Sequence, residues 1–355
     1  MKLLYITNGI TGIGGLERVL SIKLSYFTDQ QGYEVHVITL NEPQRAPFYT
    51  FSSKIKVHNI QARGNLFTYL LSYIKKINKV VKEVSPDIIS VCDDGLKGLY
   101  VPLWIHKRYK AIIYERHASM LLNNSKLQSF FIKLGGKLYN RIILLTKYNK
   151  TEWISQNLEV IPNPLSFPDD EYSLLNNHRI ICVGSLSYNK GYDLLIDAWS
   201  KIAHRYPDWK IDIYGRGDAS VYHSLMQEKK VENSITFCGP TNDIKQKMLE
   251  SSFLVLPSRS EGFGMVLIEA MACGLPCVSF DCPCGPRDII QDRKNGLLIP
   301  PGDTNALAQG IETLIQDKKT LHAMGDVAIH SISKYKVENI ASLWDTLFHQ
   351  LIERK

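Results

Sequence analysis

Hydrophobic positions along the chain fall into two alternating kinds of segment. Short, nearly continuous apolar runs recur: LLYIT, YEVHVITL, IISVC, AIIYE and RIILLT in the first half, then RIICVG, KIDIYG, SITFCG, FLVLP and PCVSF in the second. Longer stretches with a helical period stand between them, such as LFTYLLSYIKKINKVVKEV and YDLLIDAWSKIAHRY. Apolar strands separated by helices predict parallel sheets covered on both faces. The pattern breaks over Ile161–Asn177, which carries three prolines and three acids without helical period. The expected division is an N-terminal domain over 1–163, a linker over 164–177, a C-terminal domain over 178–336 and an amphipathic helix over 337–355.

The fold class this predicts is α/β, with two Rossmann-like, doubly wound parallel-sheet domains. Each has its ligand crevice at the carboxyl ends of its strands. If those ends face each other, the interdomain cleft is the site. The 355 residues are 45% hydrophobic, enough for two cores, and 22% charged with no low-complexity tract, which argues against disorder. Charge is uneven: 22 Lys and Arg stand against 14 Asp and Glu up to Glu171, and 20 against 21 after it. The basic first half favours an anionic partner or is a solvated surface with chance bias. The start, MKLLYITNGI, lacks a leader's apolar core, and no run approaches a membrane span, so a cytoplasmic protein is expected. Seven cysteines in odd number imply no disulfide framework. Cys92, Cys182 and Cys238 sit inside apolar runs and read as packing residues, whereas Cys273, Cys277, Cys282 and Cys284 cluster without the paired C-x2-C spacing of zinc sites.

Chemistry concentrates in SRSEGFGMVLIEAMACGLPCVSFD. Glu261 follows an apolar strand, Gly262 and Gly264 flank Phe263, and MVLIEAMA reads as a helix closed by Gly274 and Pro276. Glycines allow close backbone approach, free N–H groups at a helix start attract phosphate, and Glu261 and Glu269 can accept hydrogen bonds from sugar hydroxyls. Upstream, ICVGSLSYNKGYDLLIDA places Lys190 at the mouth of a strand–loop–helix unit, suited to neutralising a diphosphate. IYGRGD and FCGPTND follow two further strands. The N-terminal NGITGIGGLERVL offers Gly12, Gly14 and Gly15 before a helix at Leu16, with Glu42 at the end of the second strand. It lacks the strict G-x-G-x-x-G of dinucleotide sites. His117 directly follows the strand AIIYE. Asp93 and Asp94 are adjacent acids at a strand end and read as cleft-edge polar residues.

The Glu261–Glu269 segment resembles the E-x7-E motif of the retaining glycosyltransferases of family four, which have the GT-B fold. The likeness runs over most of the chain and is most specific from Gly184 to Asp303. It implies that Glu261 contacts the transferred hexose and Glu269 the ribose. Ser258, Gly262, Phe263, Gly264, Met265 and Val266 would surround the sugar and diphosphate. Lys190 would meet the pyrophosphate, with Gly184 and Ser185 beside it. Gly215 would lie near the donor, and Gly239 and Pro240 near the nucleobase. Ser185 stands where the family often has a basic residue, and Arg259 or Arg287 are candidates to compensate. Gly14 and Gly15 would face the donor phosphate or acceptor, and His117 the reacting sugar. The C-terminal helix would return to the N-terminal domain.

The resemblance implies transfer from a nucleotide-diphosphate sugar, UDP-linked by family habit, to a saccharide or lipid-linked saccharide acceptor in bacterial surface-polysaccharide synthesis. Retention would proceed by front-face attack, with Glu261, Lys190 and His117 at the reacting centre. No D-x-D cluster in a ligand-like context appears, so neither metal nor other cofactor is expected, and nucleic acid is not an expected partner. Lys75, Lys76, Lys79 and Lys82, with Lys107, Arg108 and Lys110, suggest docking on an anionic membrane face. Three other readings stay open: an NAD-dependent oxidoreductase, a sugar-nucleotide epimerase of the same architecture, and a non-catalytic nucleotide-sugar-binding subunit.

Overall fold

A computed structural model describes residues 1–93, 95–117 and 126–353. The chain divides into two compact units, Met1–Ser166 with Tyr335–Lys355, and Phe167–Lys334. In the first unit, β1 (Lys2–Ile6), β2 (Glu34–Leu40), β3 (Lys56–Ile60), β4 (Ile88–Val91), β5 (Ala111–Glu115), β6 (Arg141–Leu144) and β7 (Leu158–Val160) form one parallel sheet. Its order is β3-β2-β1-β4-β5-β6-β7. In the second unit, β8 (Arg179–Val183), β9 (Lys210–Tyr214), β10 (Ile235–Gly239), β11 (Phe253–Leu256), β12 (Cys277–Phe280) and β13 (Gly296–Ile299) pair in parallel in the order β10-β9-β8-β11-β12-β13. Among the described residues no helix is long and apolar enough to cross a membrane.

Successive residues of a strand point to opposite faces, so a doubly covered sheet needs apolar residues at every position. The first unit does this by alternation. Leu4, Ile6, Ile89, Val91, Ile112 and Tyr114 bury one face under Tyr73, Ile77, Val81 and Val84 of the helix Leu66–Val84. Leu3, Tyr5, Val35, Val37 and Ile113 bury the other under Leu20, Leu24 and Phe27 of the helix Gly15–Asp29. The helix Val337–Glu353 completes that second core with Ile340, Trp344, Leu347 and Phe348. Phe348 is fully buried and meets Phe27 edge-on at 5.7 Å.

The strands β3, β7 and β13 are not among the apolar runs of the sequence. Each lies at an edge of its sheet. β3 is largely solvent-facing and β7 has no buried residue, so neither carries a continuous apolar pattern. YDLLIDAWSKIAHRY is also not one helix: it is helical over Tyr192–Ser200, with a separate 3-10 turn at Ala203–Arg205.

If the helix Val337–Glu353 is part of the first unit's core, Phe348→Ala should cost about 3–5 kcal/mol of unfolding free energy. Urea denaturation followed by circular dichroism measures this, and an unchanged midpoint would contradict the packing described.

Candidate functional site

In each sheet the order reverses between two strands, β1 and β4 in the first unit and β8 and β11 in the second. Loops leaving such a pair run in opposite directions and open a crevice. In the second unit these loops are Gly184–Gly191 and Pro257–Gly264, and they are laced together. The Arg259 N–H donates to the Asn189 carbonyl at 2.8 Å, and Asn189 Nδ2 donates to the Ser260 carbonyl at 2.8 Å. Gly191 has φ +67°, and a Cβ there would lie 2.0 Å from the Pro257 carbonyl oxygen. No other residue type permits that approach.

The lacing brings two predicted residues together: Lys190 Nζ donates to Glu261 Oε1 at 2.7 Å, and Glu261 is largely buried. Gly264, at φ +87°, starts the helix Met265–Ala272 without a side-chain cap. That leaves the first-turn amides to other acceptors. Glu269 is within this helix and 1% exposed. The Ser258 and Ser260 hydroxyls are buried without a hydrogen-bond partner. Gly285, at φ +105°, places its Cα where a Cβ would meet the Phe263 carbonyl at 2.1 Å, packing the next loop under Phe263 and Gly264. On the other side, a Cβ on Gly215 would lie 1.7 Å from the Gly184 carbonyl, and the Gly215 N–H donates to the Gly239 carbonyl at 3.0 Å. Gly184, Ser185, Gly215, Gly239 and Pro240 thus belong to adjoining loops at the same ends of β8, β9 and β10.

No basic side chain stands at Ser185, whose hydroxyl is 3.3 Å from that of Ser187. The two candidate substitutes already have carboxylates. Arg259 donates to both oxygens of Asp193 at 2.9 and 2.6 Å and lies 3.8 Å over the Tyr188 ring. Its hydrogen bonds hold the Asp193 carboxyl below the usual range. Arg287 donates to both oxygens of Asp281, each at 2.8 Å.

In the first unit the loop after β1 carries the glycines. The Glu42 carboxylate accepts the Ile10 and Thr11 N–H groups, each at 2.5 Å. Glu17 occupies the space that a Cβ on Gly12 or Gly14 would need, and Gly15 faces open space. Asp93, after β4, is buried, bound by Lys97 at 2.9 Å and by Asn8 at 3.1 Å. Asp94 lies outside the described residues. His117, after β5, has Nε2 3.3 Å from Glu115 Oε2, while its Nδ1 is buried without a partner. Glu115 also accepts from Lys23 at 2.5 Å and Ser90 at 2.6 Å. Burial alone would raise the Glu115 carboxyl, but Lys23 and His117 outweigh it and hold it at about 2. Lys23 was not apparent from sequence as a member of this buried group. Its signal is a charge on the apolar stripe of Leu16, Leu20, Leu24 and Phe27.

The four clustered cysteines are all buried, and burial pushes the Cys273 and Cys282 thiols up to about 12. Among the described residues, the group with metal-ligand atoms close together is instead Cys92, Glu115 and His117, within 4.8 Å of one another.

Two family models match the chain: Glycosyl transferases group 1 over residues 170–330 and Glycosyl transferase 4-like over residues 13–148. An uncharacterized glycosyltransferase of Haemophilus influenzae is 29% identical, covering 97% of this chain and 98% of its own. The amylovoran biosynthesis glycosyltransferase AmsD of Erwinia amylovora is 26% identical, covering 98% and 99%. The crystal structure of Anabaena HepE in complex with UDP superposes with a TM-score of 0.81 at 20% identity, covering 99% and 100%.

Gly191 and Gly239 both have positive φ, but nothing stands within 4 Å of a Cβ on Gly239. Gly239→Ala should therefore cost only the left-handed backbone penalty, about 1–2 kcal/mol. Gly191→Ala should cost more, because it also forces the two loops apart. Equal losses in thermal unfolding would show that the close approach at Pro257 is not required.

Proposed function

The chain belongs to the GT-B glycosyltransferases, and from that premise we propose that it transfers a hexose or N-acetylhexosamine, with retention, from a UDP-sugar to a saccharide carried on a lipid. The product class is a bacterial surface polysaccharide. The observation that carries this reading is the Lys190–Glu261 contact at 2.7 Å, beside the uncapped helix start at Gly264 and Met265. It sets a cation, a carboxylate and free amides at one switch point, the set needed to hold a sugar next to a diphosphate. HepE was solved with UDP, and AmsD is an amylovoran biosynthesis glycosyltransferase.

In this reading Glu261 accepts hydroxyls of the transferred sugar and Glu269 those of the ribose. The bond from the anomeric carbon to the β-phosphate oxygen breaks, and its electron pair leaves with the diphosphate. Lys190 and the amides at Gly264–Val266 meet that charge, with no metal assigned to it. The acceptor oxygen forms the new bond from the same face and gives its proton to the departing phosphate oxygen. Arg259 and Arg287 assist only by leaving Asp193 and Asp281. In the same reading His117 is assigned to the sugar, and Gly14 and Gly15 to the phosphate or acceptor.

The lipid part of the proposal rests on the helix Leu66–Val84. Its first turns expose Leu66, Phe67 and Leu71, followed by exposed Lys75, Lys79 and Lys82. Lys76 instead turns back to donate to the Gln61 carbonyl. Asn78 ties this helix to the segment preceding Lys107 and Arg108, donating to the Trp104 carbonyl at 2.8 Å and accepting from the His106 N–H at 2.7 Å. Apolar side chains beside lysines suit an anionic lipid surface, where each lysine contributes about 1 kcal/mol.

Calorimetric titration with UDP, GDP, ADP and NAD should show binding of UDP, weakened at least about tenfold, or about 1.4 kcal/mol, in Glu269→Ala. Binding of NAD alone, or equal UDP affinity in the variant, would sink the donor assignment. Separately, the protein should sediment with phosphatidylglycerol vesicles and not with phosphatidylcholine vesicles. Lys75→Gln with Lys79→Gln should weaken this by about 30-fold. Indifference to anionic lipid would remove the membrane from the proposal.

A further inference from the structure

The buried group around His117 leaves two polar atoms without a hydrogen-bond partner, His117 Nδ1 and the Tyr5 hydroxyl. Glu115 is 2% exposed, and its Oε2 takes both Lys23 Nζ at 2.5 Å and His117 Nε2 at 3.3 Å. Its Oε1 takes the Ser90 hydroxyl at 2.6 Å. Lys23 is also 2% exposed, and its ammonium lies 5.1 Å from the Tyr5 ring and 4.3 Å from the Trp344 ring. An ionised carboxylate only accepts, so the proton of a neutral His117 ring must sit on Nε2. Nδ1 is then an acceptor, buried and unsatisfied.

The close approach of Cys92, Glu115 and His117 has the look of a metal site. The cation in that group, however, is the Lys23 ammonium, and a divalent ion beside it would face like charge in a buried setting. Arg116, also buried, lines a small cavity together with Lys23, Glu115 and His117. Among the described residues, the titratable and charged groups around His117 and Glu115 are Lys23, Arg116, Cys92 and Tyr5.

We infer that Lys23 and Glu115 are positioning residues for the transfer, fixing the His117 ring in one tautomer so that Nδ1 accepts a hydroxyl hydrogen of the sugar. The inference rests on the transferase reading for its substrate, but the ring geometry does not. A sugar hydroxyl supplies the donor that Nδ1 lacks, and satisfying a buried acceptor favours the bound state. The Lys23–Glu115 pair holds the ring from behind without touching the sugar.

The test uses full-length protein with nitrogen-15-labelled histidine, the His117 signals being assigned with His117→Asn. In the unsubstituted protein at pH 8, His117 should carry its proton on Nε2, and the signals should not move on adding zinc. In Lys23→Met with Glu115→Gln the single tautomer should be lost. That double variant removes both buried charges together, so it should keep a normal melting temperature where either single variant is destabilised.

Release of UDP from UDP-glucose and UDP-N-acetylglucosamine should fall on the order of 10²-fold in kcat in the double variant, with KM changed far less. Lys23→Met alone should add an acid limb to the pH profile, because Glu115 loses the cation that keeps it ionised. A ring protonated on Nδ1, zinc bound at His117, or unsubstituted-level turnover in the double variant would each overturn the inference. If the unsubstituted protein releases UDP from neither sugar nucleotide, it is the donor reading that fails, and the tautomer measurement decides the inference by itself.

Discussion

Strands that all run the same way must be joined by crossings over a face of their sheet, and that requirement organises both units of this chain. Because each crossing returns the chain to the same edge, every loop that follows a strand leaves from one end. The only freedom left is direction, and it reverses between β1 and β4 and between β8 and β11. The residues with chemistry gather there for a geometric reason. Lys190 follows β8 and Glu261 follows β11, so a separation of 71 positions becomes a 2.7 Å hydrogen bond. Asn8 and Asp93 repeat the relation after β1 and β4 at 3.1 Å.

Both units keep the charges beside these loops in closed pairs. Lys190 is held by Glu261, Arg259 by Asp193, Arg287 by Asp281 and Lys23 by Glu115. The Glu42 carboxylate fills two amides of the first glycine loop. Such pairing makes burial of an ion tolerable, since an unpaired one would be strongly destabilising. It also means that an arriving anion competes with a carboxylate already in place. For Arg259 and Arg287 the competitor is bidentate, and for Lys190 it is a single oxygen. Lys190 is the basic group most readily shared with a ligand.

Legibility in the sequence followed burial. Strands packed on both faces carry continuous apolar runs, and β1, β2, β4, β5 and β6 with β8, β9, β11 and β12 were all visible that way. β3, β7 and β13 escaped at sheet edges, where fewer apolar residues are needed, although the edge strand β10 was read from SITFCG. The helix Met265–Ala272 could be read to its ends, since Gly264 and Gly274 both have positive φ and mark its limits. Lys190, Glu261 and His117 stood out because a polar residue after an apolar strand is easy to see. Their partners were harder. Asp193 sits in the first turn of a helix, where acids are common for electrostatic reasons. Lys23 sits among leucines, where only the position of the charge, and not its type, is unusual.

The first unit is assembled from two stretches of chain separated by the whole of the second. A ribosome delivers them in that order, at about 5–20 residues per second. The strands of the first unit's sheet are therefore all synthesised roughly 10–40 s before Trp344 and Phe348 exist to cover it. In that interval Leu20, Leu24, Phe27 and the Lys23–Glu115 pair wait beneath an unfinished surface. Vectorial synthesis thus makes the docking of this helix a late step in completing the first unit.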